Sequence, residues 1–164
     1  NIGSKWANMI DTTIWKVGGS TWSNIGNAIS SVAYQNEIVS PSTSTTYEAK
    51  VGLMYASDYG FAADPSTWTI NVGAFSEKTD AGEYIMDKNW MYMGLTEWTI
   101  TPETSDSRNC FSLSGDSGIS STNISLSSGP TYNDITVRPT FYLNSSIKYS
   151  SGSGTKDDPI RIDM

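Results

Sequence analysis

The sequence contains no histidine and a single cysteine, and both shortages narrow the chemistry that this chain can perform. Without histidine there is no Ser-His-Asp triad and no imidazole ligand for a metal. Cys110 alone forms neither an internal disulfide nor a zinc cluster, so we expect a small buried hydrophobic residue at that position. The sequence therefore predicts a protein that is not an enzyme and has no resident cofactor. Pairing among Asp58, Glu97 and Glu103 is the remaining alternative for catalysis.

Basic residues are scarce as well. The chain has 10 Lys and Arg against 17 Asp and Glu, a formal net charge of −7. Binding of nucleic acid needs clustered Lys and Arg to displace counterions from phosphates, so nucleic acid is excluded as a partner. No apolar run approaches the roughly 20 residues of a membrane span, and we expect no membrane contact by this segment.

Calcium is the one metal that the composition leaves open. Hard cations take oxygen ligands, and many acids fall in predicted loops, although none has the spacing of an EF-hand loop. These acids are Asp64, Asp80, Asp87, Asp106, Asp116, Asp157 and Asp158.

Aromatic residues are plentiful: the 164 residues include six Trp, nine Tyr and four Phe. This length fits a single domain spanning residues 1–164. Short strands separated by Gly-rich turns, with helical periodicity only near the start, predict an α+β fold. We expect a twisted antiparallel sheet with short N-terminal helices and long loops.

Two apolar stretches are predicted to be buried central strands, Val51–Tyr55 and Val137–Leu143, because both are apolar on both faces. Asp58, just after the first, is predicted to bond backbone amides at the corner. Arg138, in the second, is predicted to be a buried partner of an acid or of carbonyl groups. Further strands are predicted at Trp90–Met93, Glu97–Ile100, Asn109–Leu113, Thr136–Leu143 and Ile160–Ile162. Of Trp90 and Trp98, we expect at least one to lie in the core.

These motifs, in this order along the chain, resemble a family of extracytoplasmic domains of gut-type Gram-positive bacteria that often follow prepilin-like N-termini. The family is similar in turn to the C-type lectin-like fold of formylglycine-generating enzymes. The matching stretches are Trp15–Gly19, Lys50–Ala62, Trp90–Tyr92, Trp98–Pro102, Val137–Leu143 and Ser151–Pro159.

The chain also departs from the family. It begins close to the Trp15–Gly19 motif, so we expect an upstream N-terminal segment to be lacking or separate. Residues 63–89 contain no cysteine, so the family's disulfide is not carried over. A lone Cys110 does not provide the site that formylglycine formation requires.

The resemblance implies a non-catalytic recognition or adhesion module at a cell surface or on a pilus, outside the cell. Its partner would be a glycan or a surface protein. In the lectin-like fold the binding face would lie between Trp98 and Thr136, which makes candidates of Thr101, Glu103, Ser107, Arg108, Asn109, Tyr132 and Asn133. The alternative is a structural, pilin-like subunit that binds copies of itself in a filament.

Overall fold

The computed structural model describes residues 3–75, 77–78, 82–115, 118–123, 135–154 and 157–163. Short helices occupy the first part of the chain, and strands dominate the second. The helices are α1 (Gly3–Ala7), α2 (Trp22–Ile25), α3 (Ser30–Tyr34), which continues as a π-helical turn (Gln35–Val39), and α4 (Ala56–Phe61). Single 3-10 turns lie at Pro65–Thr67, Val72–Ala74 and Ile85–Lys88.

The strands form small antiparallel sheets. They are β1 (Thr13–Lys16), β2 (Thr46–Ala49), β3 (Gly52–Leu53), β4 (Glu97–Pro102), β5 (Asn109–Leu113), β6 (Ile119–Asn123), β7 (Pro139–Thr140), β8 (Lys148–Ser151) and β9 (Arg161–Asp163). Strands β4, β5 and β6 make one three-stranded sheet, and the others pair as β1–β2, β3–β7 and β8–β9. The fold is thus α+β, as predicted. The described residues contain four small sheets where we expected one.

One core joins the helices to the three-stranded sheet. Helix α4 packs on α3 and on β5, and it buries Tyr59 completely against Phe75, with ring centroids 5.8 Å apart. From the sheet, Phe111 and Leu113 of β5 enter the same cluster. Burial of large aromatic and aliphatic groups is the main favourable term in folding, so this cluster positions every element around it.

Strand β4 buries its polar face. Glu97, Thr99 and Thr101 are buried, whereas Trp98 and Ile100 are half-buried. Each buried polar group finds a partner; for example, the Thr99 hydroxyl donates to the Phe111 carbonyl at 2.8 Å. Burial of a polar group is costly only when its hydrogen bonds are not replaced, which explains how this face tolerates the interior.

Strands β3 and β7 lie within the two predicted strands and pair with each other, but each is only two residues long. Met54 and Tyr55 are buried, while Val51, Val137 and Phe141 are exposed, so the prediction of two fully buried strands is wrong.

The predicted strand Trp90–Met93 is also wrong, because the chain forms a turn there. The Asn89 side chain organises this turn: its Oδ1 accepts from the Met91 amide at 2.9 Å, and its Nδ2 donates to the Tyr59 carbonyl at 2.7 Å. Trp90 is therefore turned outward, and 79% of it is exposed. Trp98 is half-buried rather than a core residue.

Candidate functional site

An open cleft of about 520 Å³ lies where α4 meets the turn at Trp90–Met91 and strand β7. Its volume falls in the usual range of ligand pockets, about 300–1,000 Å³. Four aromatic side chains line it, namely Phe61, Trp90, Phe141 and Tyr142. The polar lining groups are Asp58, Arg138 and Thr140.

The aromatic rings of the cleft are exposed, and two of them pack on further aromatic side chains. Tyr142, 51% exposed, packs against the buried ring of Trp15 with centroids 5.5 Å apart. Phe61 meets Trp68 edge to face at 5.4 Å. Aromatic pairs in tilted or edge-to-face geometry are favourable, so these contacts hold the rings in place for a ligand.

Asp58 is the acid of the cleft, and helix α4 fixes its position. As the third residue of the helix, it accepts the Tyr55 amide at 2.8 Å through Oδ2, which confirms its predicted role at this corner. Burial raises the pKa of Asp58 above its ordinary value. None of the ion pairs among the described residues includes this carboxylate.

Arg138 lies at the edge of the cleft with its charge already matched. Its Nε and Nη2 donate to the two oxygens of Glu97 at 2.8 and 2.6 Å, and Nη2 also donates to the Met91 carbonyl at 2.8 Å. Glu97 is 1% exposed. This pair confirms the predicted role of Arg138, and it ties β4, the Trp90–Met91 turn and the start of β7 together.

A second buried carboxylate, Glu37, holds the start of helix α4, which lines the cleft. It reaches from the π-helical turn to the start of α4, where it accepts the Ala56 and Ser57 amides at 3.2 and 2.7 Å. The Thr101 hydroxyl donates to the same carboxylate at 2.5 Å. Burial raises the pKa of Glu37. The free amides of a helix start are thereby satisfied, which fixes α4 and, with it, Asp58.

The residues predicted to form a site between 98 and 136 differ in their exposure. Thr101 and Glu103 are buried, so little of either side chain is open to a ligand. Thr101 bonds Glu37, and Glu103 accepts from the side chains of Asn109 and Ser105.

The other predicted site residues differ in their surroundings. Ser107 and Arg108 are exposed and Asn109 is half-buried. Arg108 donates from Nη2 to Asp106 Oδ2 at 2.7 Å, and this bonding lowers the pKa of Asp106 to about 2. Tyr132 and Asn133 lie outside the described residues.

Sequence reasoning missed the cleft although most of its residues belong to the quoted motifs. Asp58 and Phe61 follow one motif strand, and Arg138 to Tyr142 form the other. We interpreted both stretches as core, because continuous apolar runs are typical of buried strands. The number of aromatic residues in these stretches was the signal that could have revealed the cleft. Strands β3 and β7 have two residues each and cannot bury all of them.

The thiol and the acids contribute no reactive or metal centre among the described residues. Burial raises the pKa of Cys110 to about 11, and its Sγ donates to the carbonyls of Thr99 and Thr101. Since the thiolate is the reactive form, this environment disfavours nucleophilic chemistry. Within the described ranges no three acids or thiols are grouped so as to hold a metal ion.

Comparison of this chain with protein-family models, curated proteins and solved structures finds no match. No helix in the described ranges combines the length and the apolar character that a bilayer crossing requires.

Proposed function

We propose that this chain is a non-catalytic recognition module displayed outside the cell, and that the aromatic cleft around Asp58 is its ligand site. The observation that carries the proposal is the cleft itself, which is lined by four exposed aromatic rings and one carboxylate. The location at a cell surface or pilus rests on the resemblance of the sequence motifs. The C-type lectin-like architecture is the finer form of the α+β fold that we propose.

The exposed apolar surface of the cleft supports this proposal. Burial of apolar area contributes about 25 cal/mol per Å², so aromatic groups left in water represent binding energy that a partner can recover. Contiguous exposed apolar patches on soluble domains commonly mark binding sites. The rings are also rigid, and rigid aromatic anchors lose little conformational entropy on binding.

A glycan array and a surface-protein screen, read with wild type and Trp90→Ala, test the proposal. We expect the variant to lose binding while its melting temperature stays within a few degrees, because Trp90 is 79% exposed. Tyr47→Ala is the matched control, since Tyr47 is 67% exposed on β2 and does not line the cleft. If binding survives Trp90→Ala and is lost with Arg108→Ala, the ligand site lies between residues 98 and 136 instead of in the cleft.

A filament subunit is the second candidate, and the hairpin β8–β9 favours it. All four residues of β8 are exposed, and so is Ile160 just before β9. Exposed strand edges pair readily with other chains. Sedimentation of the purified chain over a range of concentrations tests this candidate, because a filament subunit should assemble and a recognition module should stay monomeric.

A further inference from the structure

We propose that the cleft binds a ligand that carries a substituted ammonium group, with the cation held between the aromatic rings and facing Asp58. This inference rests on the proposed function and names the chemistry of its ligand. It follows from the charges in the cleft, from the nature of its walls and from the hydrogen-bonding groups that the walls offer.

The charges of the cleft leave one carboxylate without a counter-ion. Arg138 and Glu97 neutralise each other in a bidentate pair, so the guanidinium does not offset Asp58. One oxygen of Asp58 accepts the Tyr55 amide, and among the described residues no side chain donates to the carboxylate. The cleft therefore presents a negative group at a partly desolvated site, where a cation gains more than it would in bulk water.

The walls suit a cation that is poorly hydrated. An ammonium group over the face of an aromatic ring is attracted by the ring quadrupole, most strongly by Trp, and desolvation strengthens the attraction. The rings come from three segments of the chain: Phe61 from α4, Trp90 from the turn, and Phe141 and Tyr142 from the residues after β7. Several aromatic rings and a carboxylate that line the same cleft are the groups that recognise alkylated ammonium ions.

Other ligand classes fit the lining less well. An anion would face Asp58, and three of the five N–H donors of Arg138 are engaged by Glu97 and Met91. A hard metal ion needs about six oxygen ligands, and the lining offers one carboxylate. A sugar or a primary ammonium group presents several donors, and the few polar groups among the lining residues leave some of them without a partner. Alkyl substitution removes those donors and keeps the charge.

Titration with choline and with 3,3-dimethylbutan-1-ol, its neutral isostere, separates charge from shape. The readout is the tryptophan emission together with isothermal titration calorimetry on the intact chain. We expect the chain to bind choline at least about tenfold more tightly than the alcohol, the size of one good cation–aromatic contact with a carboxylate nearby.

Two matched variants assign the effect to Asp58. Asp58→Asn keeps an oxygen that can accept the Tyr55 amide and removes the charge, so we expect the preference for choline to fall severalfold, to the part that the aromatic rings contribute. Asp64→Asn is the control, because Asp64 also accepts an amide at a helix start, from Ser66 at 2.9 Å, but is exposed outside the cleft. We expect Asp64→Asn to retain the wild-type preference.

The remaining outcomes overturn the proposal in distinguishable ways. Equal affinity for choline and the alcohol would refute the ammonium specificity while leaving the cleft as an apolar ligand site. Absence of binding by both probes would refute the ammonium proposal as well. The proposed function would fail separately, if a ligand found in the screens bound Trp90→Ala as well as wild type.

Discussion

At the scale of single residues, two buried carboxylates hold this fold together in different ways. Glu97 is matched by the guanidinium of Arg138, whereas Glu37 is matched only by neutral donors, two amides and the Thr101 hydroxyl. Neutral donors stabilise a carboxylate less than a cation does, and burial disfavours its charged form. The pKa of Glu37 is accordingly raised above its ordinary value of 4.5.

The raised pKa of Glu37 predicts a pH dependence of stability. A group whose native pKa exceeds its unfolded value contributes stability that is complete below the unfolded pKa and is lost as pH rises through the native pKa. The free energy of unfolding should therefore fall as pH rises above 4.5 through the native pKa of Glu37. Urea denaturation at a series of pH values measures this slope.

Glu37→Gln isolates the contribution of Glu37. The substitution should make the slope shallower, leaving the part that the raised pKa of Asp58 contributes, and, because an amide N–H2 would face one of the donors, it should cost about 1–3 kcal/mol. Glu48→Gln on the exposed strand β2 is the control and should keep the wild-type slope. An equal slope in wild type and Glu37→Gln would contradict the prediction.

The Arg138–Glu97 pair gives a second prediction. Arg138→Met leaves Glu97 buried without its cation, and removal of one partner of a buried pair costs about 3–5 kcal/mol. The double variant Arg138→Met with Glu97→Leu should recover much of that loss, since replacing both charges removes the unpaired carboxylate. Denaturation midpoints check both variants. Arg108→Met is the control, because it breaks an exposed pair with Asp106 and should leave the denaturation midpoint unchanged. If Arg138→Met has the same midpoint as this control, the prediction is contradicted.

Residue roles that depend on local sequence were predictable, and those that depend on distant neighbours were not. The backbone-bonding role of Asp58 follows from its place after an apolar strand. The acid partner of Arg138 follows from a lone cation among apolar residues. The burial of Thr101 was missed, because its partner Glu37 lies 64 positions away in the sequence.

At the scale of elements, α4 depends on a glycine in its interior. Alanine normally stabilises a helix relative to glycine by about 1 kcal/mol. At Gly60 a Cβ would lie 2.7 Å from Val72 Cγ1 and would also contact the Ser30 hydroxyl, so α4 packs too closely on its neighbours for a larger residue.

We therefore predict that Gly60→Ala destabilises the fold by about 1–3 kcal/mol, the usual cost of overpacking. The urea midpoint measures the change, and Ser31→Ala at an exposed position of α3 serves as the control. A stabilised Gly60→Ala variant would mean that α4 lies farther from Val72 than the structure places it.

Strands in which side chains of two kinds alternate along the sequence were predicted more reliably than turns with an apolar composition. The predicted strands Glu97–Ile100 and Asn109–Leu113 are confirmed within β4 and β5. Trp90–Met93 has the composition of a strand, but the bonds of Asn89 and the contact of Arg138 with the Met91 carbonyl hold it as a turn. Tertiary contacts override propensity where a segment is short.

At the scale of the whole molecule, the cleft lies where segments far apart in the sequence meet. Strand β3 pairs with β7 across more than eighty residues, and the Asn144 amide donates to the Met9 carbonyl at 2.9 Å. Composition and turn frequency were enough to predict an α+β fold. The position of a cleft between β7 and α4 depends on long-range pairing, which single-sequence patterns do not specify.

The hairpin β8–β9 provides the last prediction, because it separates the two proposed functions. Its strands pair with each other, and β8 is exposed along its whole length. In a monomer its amides should exchange with solvent by local opening, much faster than those of β4 and β5, which belong to the core sheet. Hydrogen exchange followed by mass spectrometry at low and high protein concentration measures this difference.

The way in which this exchange depends on protein concentration distinguishes the two proposed functions. A recognition module that works as a monomer should show the same fast exchange of β8 and β9 at every concentration. A filament subunit that adds a neighbouring strand to the hairpin should show protection there that grows with concentration, since pairing with another chain follows mass action. Slow exchange at both concentrations would contradict the exposed hairpin itself, because amides without core packing cannot be protected by global stability.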